Sequence, residues 1–173
     1  MKRRWSRCAQ LAPLFFTACT SYAIQIHSPP LLLPSGPKGT GQICVIRPQR
    51  VALLVPAVVH DGGKLVGMTQ GPSYFCYLAA PGYIRLSTSY GDDIDHRLGT
   101  STTQDLTVLV NPSGRIYVHH DVSKILTLSI SQLREAEAMQ LIAGCDSVSL
   151  SSTPSGTPIP NPADVIPAEH PKE

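Results

Sequence analysis

The chain has 173 residues with a formal net charge of +2, and only 15% of them are charged. That length suits one domain of ordinary size, and without a basic stripe beyond the first eighteen residues an electrostatic nucleic-acid binder is excluded. The 16 prolines and 13 glycines, with many serines and threonines, fit a turn-rich β protein with flexible ends.

Residues 1–18 read as an export signal. Lys2, Arg3, Arg4 and Arg7 form a basic front, then comes the mostly apolar run from Cys8 to Phe16, then Thr17-Ala18-Cys19. A basic start, a short apolar core and small residues before the cut are the grammar of a signal peptide. The run falls short of the roughly 20 apolar residues that a membrane span needs. Phe16-Thr17-Ala18-Cys19 looks like a lipoprotein box, with Phe where Leu is commoner, so Cys19 is expected to be acylated and to become the new N-terminus. Each buried methylene contributes about 0.8 kcal/mol, so several acyl chains hold the protein on a membrane permanently. This places the protein in a bacterial cell envelope, and Thr20 after the cysteine resembles the outer-membrane class that faces the periplasm. A rival reading takes Ser21-Tyr22-Ala23 as an ordinary small-x-small cleavage site and releases a soluble protein.

Two Pro-rich segments bracket a central domain. Residues 19–41 read as a lipidated N-terminus and flexible tether, able to hold the domain up to about 60 Å from the membrane when extended. Leu31-Leu32-Leu33 is out of place in a solvated tether and packs on the domain or on a partner. Residues 147–173 carry Pro154, Pro158, Pro160, Pro162, Pro167 and Pro171, which remove backbone donors, so a disordered tail is expected.

Between them, over 42–146, short β-type runs alternate with turn signals. Ile43-Cys44-Val45-Ile46 is apolar on both faces, as in a buried strand. Ala57-Val58-Val59-His60 and Lys64 to Met68 flank Asp61-Gly62-Gly63, a hairpin turn because glycine tolerates positive φ. Tyr74 to Leu78 follows, and Pro81-Gly82 turns the chain into Tyr83 to Thr88. After a polar stretch from Gly91 to Thr103, Leu106 to Val110 and Ile116 to His119 flank Asn111-Pro112-Ser113-Gly114, which reads as a second hairpin. Leu126 to Ile130 is the last strand candidate. Short strands at this spacing predict a mainly β fold, an antiparallel β-sandwich. One C-terminal helix is expected, capped by Ser131, stopped at Gly144 and packed on an end or edge of the sandwich. Ala138, Leu141, Ile142 and Cys145 share its apolar face.

The order of these elements resembles an uncharacterised family of small bacterial envelope lipoproteins with a prealbumin-like or PEGA-like β-sandwich. The resemblance rests on Arg47-Pro48, Asp61-Gly62-Gly63-Lys64-Leu65-Val66-Gly67, Tyr74-Phe75 and Pro81-Gly82-Tyr83. It extends to Gly114-Arg115-Ile116-Tyr117-Val118 and Glu135-Ala136-Glu137-Ala138, so it spans about Gly41 to Cys145 and specifies a scaffold. It implies a non-enzymatic adaptor or structural module with no catalytic residues and no cofactor.

Asp92, Asp93, Asp95 and His96 make the one dense ligand cluster. Carboxylates on a loop suit Ca²⁺ or Mg²⁺, and His96 adds a ligand for a transition metal. The spacing lacks the later ligands of an EF-hand, and a solvated acidic loop is the favoured reading. In His119-His120-Asp121, neighbouring side chains on a strand point to opposite faces, so the two imidazoles do not share a metal. Cys8 leaves with the signal and Cys19 is acylated. One disulfide is then allowed among Cys44, Cys76 and Cys145 in an oxidising compartment, with one thiol left over. The expected function is therefore non-catalytic interaction or scaffolding, with the membrane (through Cys19) and an envelope protein as partners and no nucleic acid. The alternative is a module that binds a metal ion or carbohydrate with the loop 92–96.

Overall fold

The computed structural model describes residues 22–30, 36–90, 104–122, 127–154 and 157–168. Among these, eleven strands and one helix form two facing sheets and an outer layer. In chain order the strands are β1 (Ala23–His27), β2 (Gly41–Arg47), β3 (Ala57–Asp61), β4 (Lys64–Thr69), β5 (Ser73–Ala79) and β6 (Gly82–Tyr90). Then follow β7 (Gln104–Val110), β8 (Arg115–Val122), β9 (Leu128–Leu133), the helix α1 (Glu135–Ile142), β10 (Asp146–Ser152) and β11 (Val165–Ile166).

The mainly β sandwich read from the sequence is what the chain forms, with one helix among the described residues. The larger sheet runs β1-β10-β5-β2-β8-β9, with β11 added beside β5, and the smaller runs β4-β3-β6-β7. Most ladders are antiparallel, while β2/β8, β5/β10 and β5/β11 are parallel. The core lies between the sheets because alternate residues of each strand face inward. Ile43 and Val45 of β2, Phe75 and Tyr77 of β5 and Val118 of β8 meet Val59, Ile84, Leu86, Val108 and Val110 of the smaller sheet.

The helix lies elsewhere than expected. Ala138, Leu141 and Ile142 pack with Cys145 against Cys44, Ile46 and Tyr117 on the outer face of the larger sheet, not at an end or edge. Cys44, Ile46 and Tyr117 are the outward members of strands whose other residues fill the main core, so this face is apolar too and needs a cover. Ser131 does not cap the helix. It pairs with His119 in the β8/β9 ladder, and the strand runs on to Leu133 opposite Tyr117. The capping position falls to Arg134, which makes no side-chain cap bond, and Glu135 and Glu137 in the first turn favour the N-terminal dipole.

Three further expectations are corrected. The Asn111–Gly114 turn is not a hairpin, since β7 belongs to the smaller sheet and β8 to the larger. The turn is tied to the chain entering β2 instead: Ser113 N–H donates to the Thr40 carbonyl and Gln42 N–H to that of Gly114. The tether 19–41 is not free throughout, because β1 pairs with β10 along Ala23 to His27. Likewise the tail 147–173 contains most of β10 and all of β11, so the folded unit is wider than 42–146. Ile24 and Val148 face the main core, and burying them gives each terminal strand a reason to fold on the other. In the Pro-rich stretch, Ala163 N–H donates to Asn161 Oδ1 and Asp164 N–H to the Asn161 carbonyl. That turn aims Val165–Ile166, which lie between prolines and keep their donors, along the end of β5.

Of the two turn glycines in the β3/β4 hairpin, Gly62 has φ 54° and Gly63 has φ 78°. Positive φ at both central positions is what a tight two-residue hairpin requires.

Candidate functional site

The sequence candidates divide three ways. Cys19, Leu31–Leu33 and Asp92, Asp93, Asp95 and His96 lie outside the described residues. Cys44 and Cys76 are brought together and form a disulfide, leaving Cys145 as a thiol. They are directly opposite in the β2/β5 ladder, with Cα atoms 4.1 Å apart, so strand register selects this pair over either pairing with Cys145. Among the described residues no group of three His, Cys, Asp or Glu side chains is placed to hold a metal.

His119 and His120 point to opposite faces, as their adjacency on β8 demands. His119 Nε2 lies 2.8 Å from Gln49 Nε2, while His120 is buried between the sheets. His120 Nδ1 is 3.0 Å from Thr69 Oγ1, and Nε2 is 2.7 Å from Thr88 Oγ1. The Thr88 hydroxyl donates to the Val58 carbonyl, so His120 Nε2–H must donate to Thr88 and Nδ1 must accept from Thr69. This chain uses the neutral imidazole, since a second ring proton would face the Thr69 donor. Burial, aided by the positive charge of Arg47, lowers the His120 pKa to about 3.

Arg47 ends β2 beside this chain and is also buried. Its Nη1 donates to the Val55 carbonyl at 2.8 Å, and its Nη2 to those of Ala52 at 2.8 Å and Val51 at 3.1 Å. A longer bond of 3.5 Å reaches the Thr69 carbonyl. The fork of donors therefore wraps the loop 48–56 around one side chain, and Ala52 accepts a φ of 51° to fit it. Burial lowers the guanidinium pKa from its ordinary value, and Tyr90 and Asp121 partly offset that. The sequence reading weighs His120 only as a metal ligand beside His119 and gives Arg47 no site role, so the buried network around them is not foreseen. The available signal was a cation closing an apolar strand and a histidine in register with Val118 and Val122.

A second buried pair lies near the other end of the core. Tyr77 donates its hydroxyl to Asp61 Oδ2 at 3.0 Å, and burial with the Asp61 charge raises the phenol pKa well above its usual value. The phenol remains a hydrogen-bond donor at any ordinary pH. Asp61 thus carries a structural duty that its place beside a hairpin turn did not reveal.

Arg47, Asp61, Tyr77 and His120 are buried, while His119 is half-buried. The space between β10 and β5 is closed by Pro160 and Pro162, leaving about 20 Å³, room for a water and little else. A polar cleft of about 310 Å³ lies between the Pro37 turn, Ser113-Gly114 and the side chains of Arg115 and Glu135. Ligand pockets begin near that size and are mostly apolar, whereas this cleft has Leu78 as its one large apolar wall.

The accessible features are sheet edges and one face. β1 and β9 bound the larger sheet and β4 and β7 the smaller. On β1, Ile26 is 58% exposed. On the outer face of the smaller sheet, Tyr83 and Leu109 sit directly opposite each other, 68% and 46% exposed. Leu54, on the loop wrapped around Arg47, is 85% exposed. Among known proteins, no family model, no curated sequence and no solved structure matches this chain.

Proposed function

We propose that this protein is a lipid-anchored module of the bacterial cell envelope, acylated at Cys19, that acts by non-catalytic interaction with an envelope protein. The observation that carries the reading is the start of β1 at Ala23. A cut after Ala23 would open inside that strand and discard Tyr22, which packs against Val58, Met68 and Leu150. A cut before Cys19 leaves the strand and its packing whole. The Cys44–Cys76 bond fits the oxidising periplasm. Arg47, His120, Tyr77 and Asp61 each hydrogen-bond backbone or another side chain inside the fold, which is a structural use of them. The resemblance to small envelope lipoproteins points the same way.

The edge of β1 is where a partner would bind, since an exposed edge accepts an added strand through main-chain hydrogen bonds. Fatty-acid labelling of the wild type beside Cys19→Ser, with membrane fractionation, tests the anchor. Label and membrane association in the wild type alone are expected, and an unlabelled soluble product beginning near Ile24 would overturn it. A photo-crosslinking residue at position 26 tests the edge. A discrete protein adduct in intact cells, absent when the same residue is placed at position 54, is expected.

A further inference from the structure

We infer that the end of the sandwich carrying the β3/β4 turn and Tyr83 lies on the membrane, as a lipid-docking face for anionic headgroups. The inference rests on the acylation of Cys19 proposed above. It follows from where the anchored chain enters the fold. β10 begins beside the β4–β5 connection, where Asp146 N–H donates to the Pro72 carbonyl, and runs back along β4 toward Lys64. β1 is antiparallel to β10 and starts opposite Ser152, so it enters at the Lys64 end. Tyr22 and Leu65 pack against the same buried cluster, which fixes that entry point.

Three peptide units separate Cys19 from Tyr22, and fully extended they span at most about 11 Å. The tether read from the sequence allowed about 60 Å. The difference decides the geometry, because a headgroup layer is roughly 5–8 Å deep and the Debye length at physiological salt is about 8 Å. An end of the domain held within about 11 Å of the anchor sits in the electrostatic field of the lipid surface; the far end, a strand length away, does not.

The entry end carries groups that suit a lipid surface. At the entry end Lys38 is exposed in a turn and Lys64 at the first position of β4, and Arg115 opens β8 across the cleft from Glu135. Gly62 N–H donates to the Arg85 carbonyl, which brings the β3/β4 turn beside the start of β6. There Tyr83 and Leu109 form an exposed aromatic–aliphatic pair. Tyrosine is favoured at membrane interfaces, and lysines near anionic lipid strengthen binding on the order of fivefold each. At the opposite end Asp121 and Asp146 close β8 and open β10 and Arg50 is exposed in the 48–56 loop, so the placement is carried by the short chain between Cys19 and Tyr22 rather than by a charge difference between the ends.

The test uses the full-length acylated protein, reconstituted in vesicles of phosphatidylethanolamine and phosphatidylglycerol with and without brominated acyl chains. The one tryptophan of the chain, Trp5, lies in the cleaved segment, so Tyr83→Trp gives a single reporter. Leu54→Trp reports the far end, and Leu109→Trp replaces the first reporter if Tyr83→Trp does not fold. In protein shown by mass to be acylated and by flotation to be vesicle-bound, the reporter at 83 or 109 should lose most of its emission to the bromolipid and the one at 54 should not. Equal quenching at both ends, stronger quenching at 54, or none at either overturns the docking face while leaving the anchor intact. A mass without acyl chains overturns the anchor and this inference with it.

Discussion

The two ends of the sandwich solve the same problem, connecting strands, by opposite means. At the end where β2 closes and β6 and β8 approach their last residues, the chain buries Arg47 and His120 and hangs connections on them. A loop of nine residues, 48–56, gets its shape from carbonyl oxygens converging on one guanidinium. At the other end the β3/β4 connection needs only two glycines with positive φ; Asp61 before it is buried against Tyr77, and Lys64 after it stays in water. Buried donors are costly unless each is satisfied, and then they specify one arrangement. The contrast teaches that the first end trades desolvation for a fixed loop, while the second shapes its turn through backbone conformation and leaves Lys64 and Tyr83 exposed.

Mutations sharpen that contrast, and the largest effect belongs to the first end. Arg47→Ala strips the loop carbonyls of their donor and leaves a void. It is expected to cost about 3–5 kcal/mol in urea unfolding and to open residues 48–56 to limited proteolysis. Equal stability of the two proteins would show that the loop holds itself. Opening the Cys44–Cys76 bond, which closes 32 residues of sequence separation, removes a restraint from the unfolded chain. Cys76→Ser is expected to cost about 3–4 kcal/mol, measured against the wild type with and without reductant.

His120 links the same end to pH. Its folded value of about 3 lies below the 6.5 of an ordinary imidazole, so as pH falls the unfolded chain takes up the proton first. The contribution to stability is therefore whole above about pH 6.5 and declines as pH falls toward 3. By pH 5 the decline amounts to about 2 kcal/mol. Denaturation of the wild type and His120→Gln at pH 7 and pH 5 isolates it: the gap between the two proteins should narrow at pH 5, and an unchanged gap would refute the neutral imidazole.

At the second end, Gly63 has no atom within 4 Å of where a Cβ would stand. Gly63→Ala therefore reads the backbone penalty alone, about 1 kcal/mol. Lys64→Glu is expected to change stability by less than about 0.5 kcal/mol. A larger loss in thermal unfolding would mean that the turn also depends on the Lys64 side chain.

Much of the strand pattern is legible in the residues. Ile43–Ile46, Tyr74–Leu78 and the Asp61-Gly62-Gly63 hairpin follow from local alternation and from glycine's tolerance of positive φ. The terminal strands carried a fainter local signal, with Ile24 and Ile26 either side of Gln25, and Val148 and Leu150 spaced by serines. Neither segment is stable alone, and each finds its partner more than a hundred residues away, so proline content and position suggested tether and tail. Ser131 has the chemistry of a helix cap, but its ladder with His119 prevailed because Leu133 beyond it completes the apolar face around Tyr117.

The sequence by itself determined the class of fold, the central strands, the one hairpin whose turn demands glycine, and the expectation of a lipid-bearing Cys19. These depend on local rules of period two, turn φ and cleavage chemistry. Tertiary structure alone decided that Cys44 pairs with Cys76, that Asn111–Gly114 crosses between sheets, and that Arg47 and His120 lie inside. It also placed the start of β1 at Ala23, four residues after Cys19. Each of these turns on which distant strands become neighbours, and that is settled by burying both faces of the larger sheet at once.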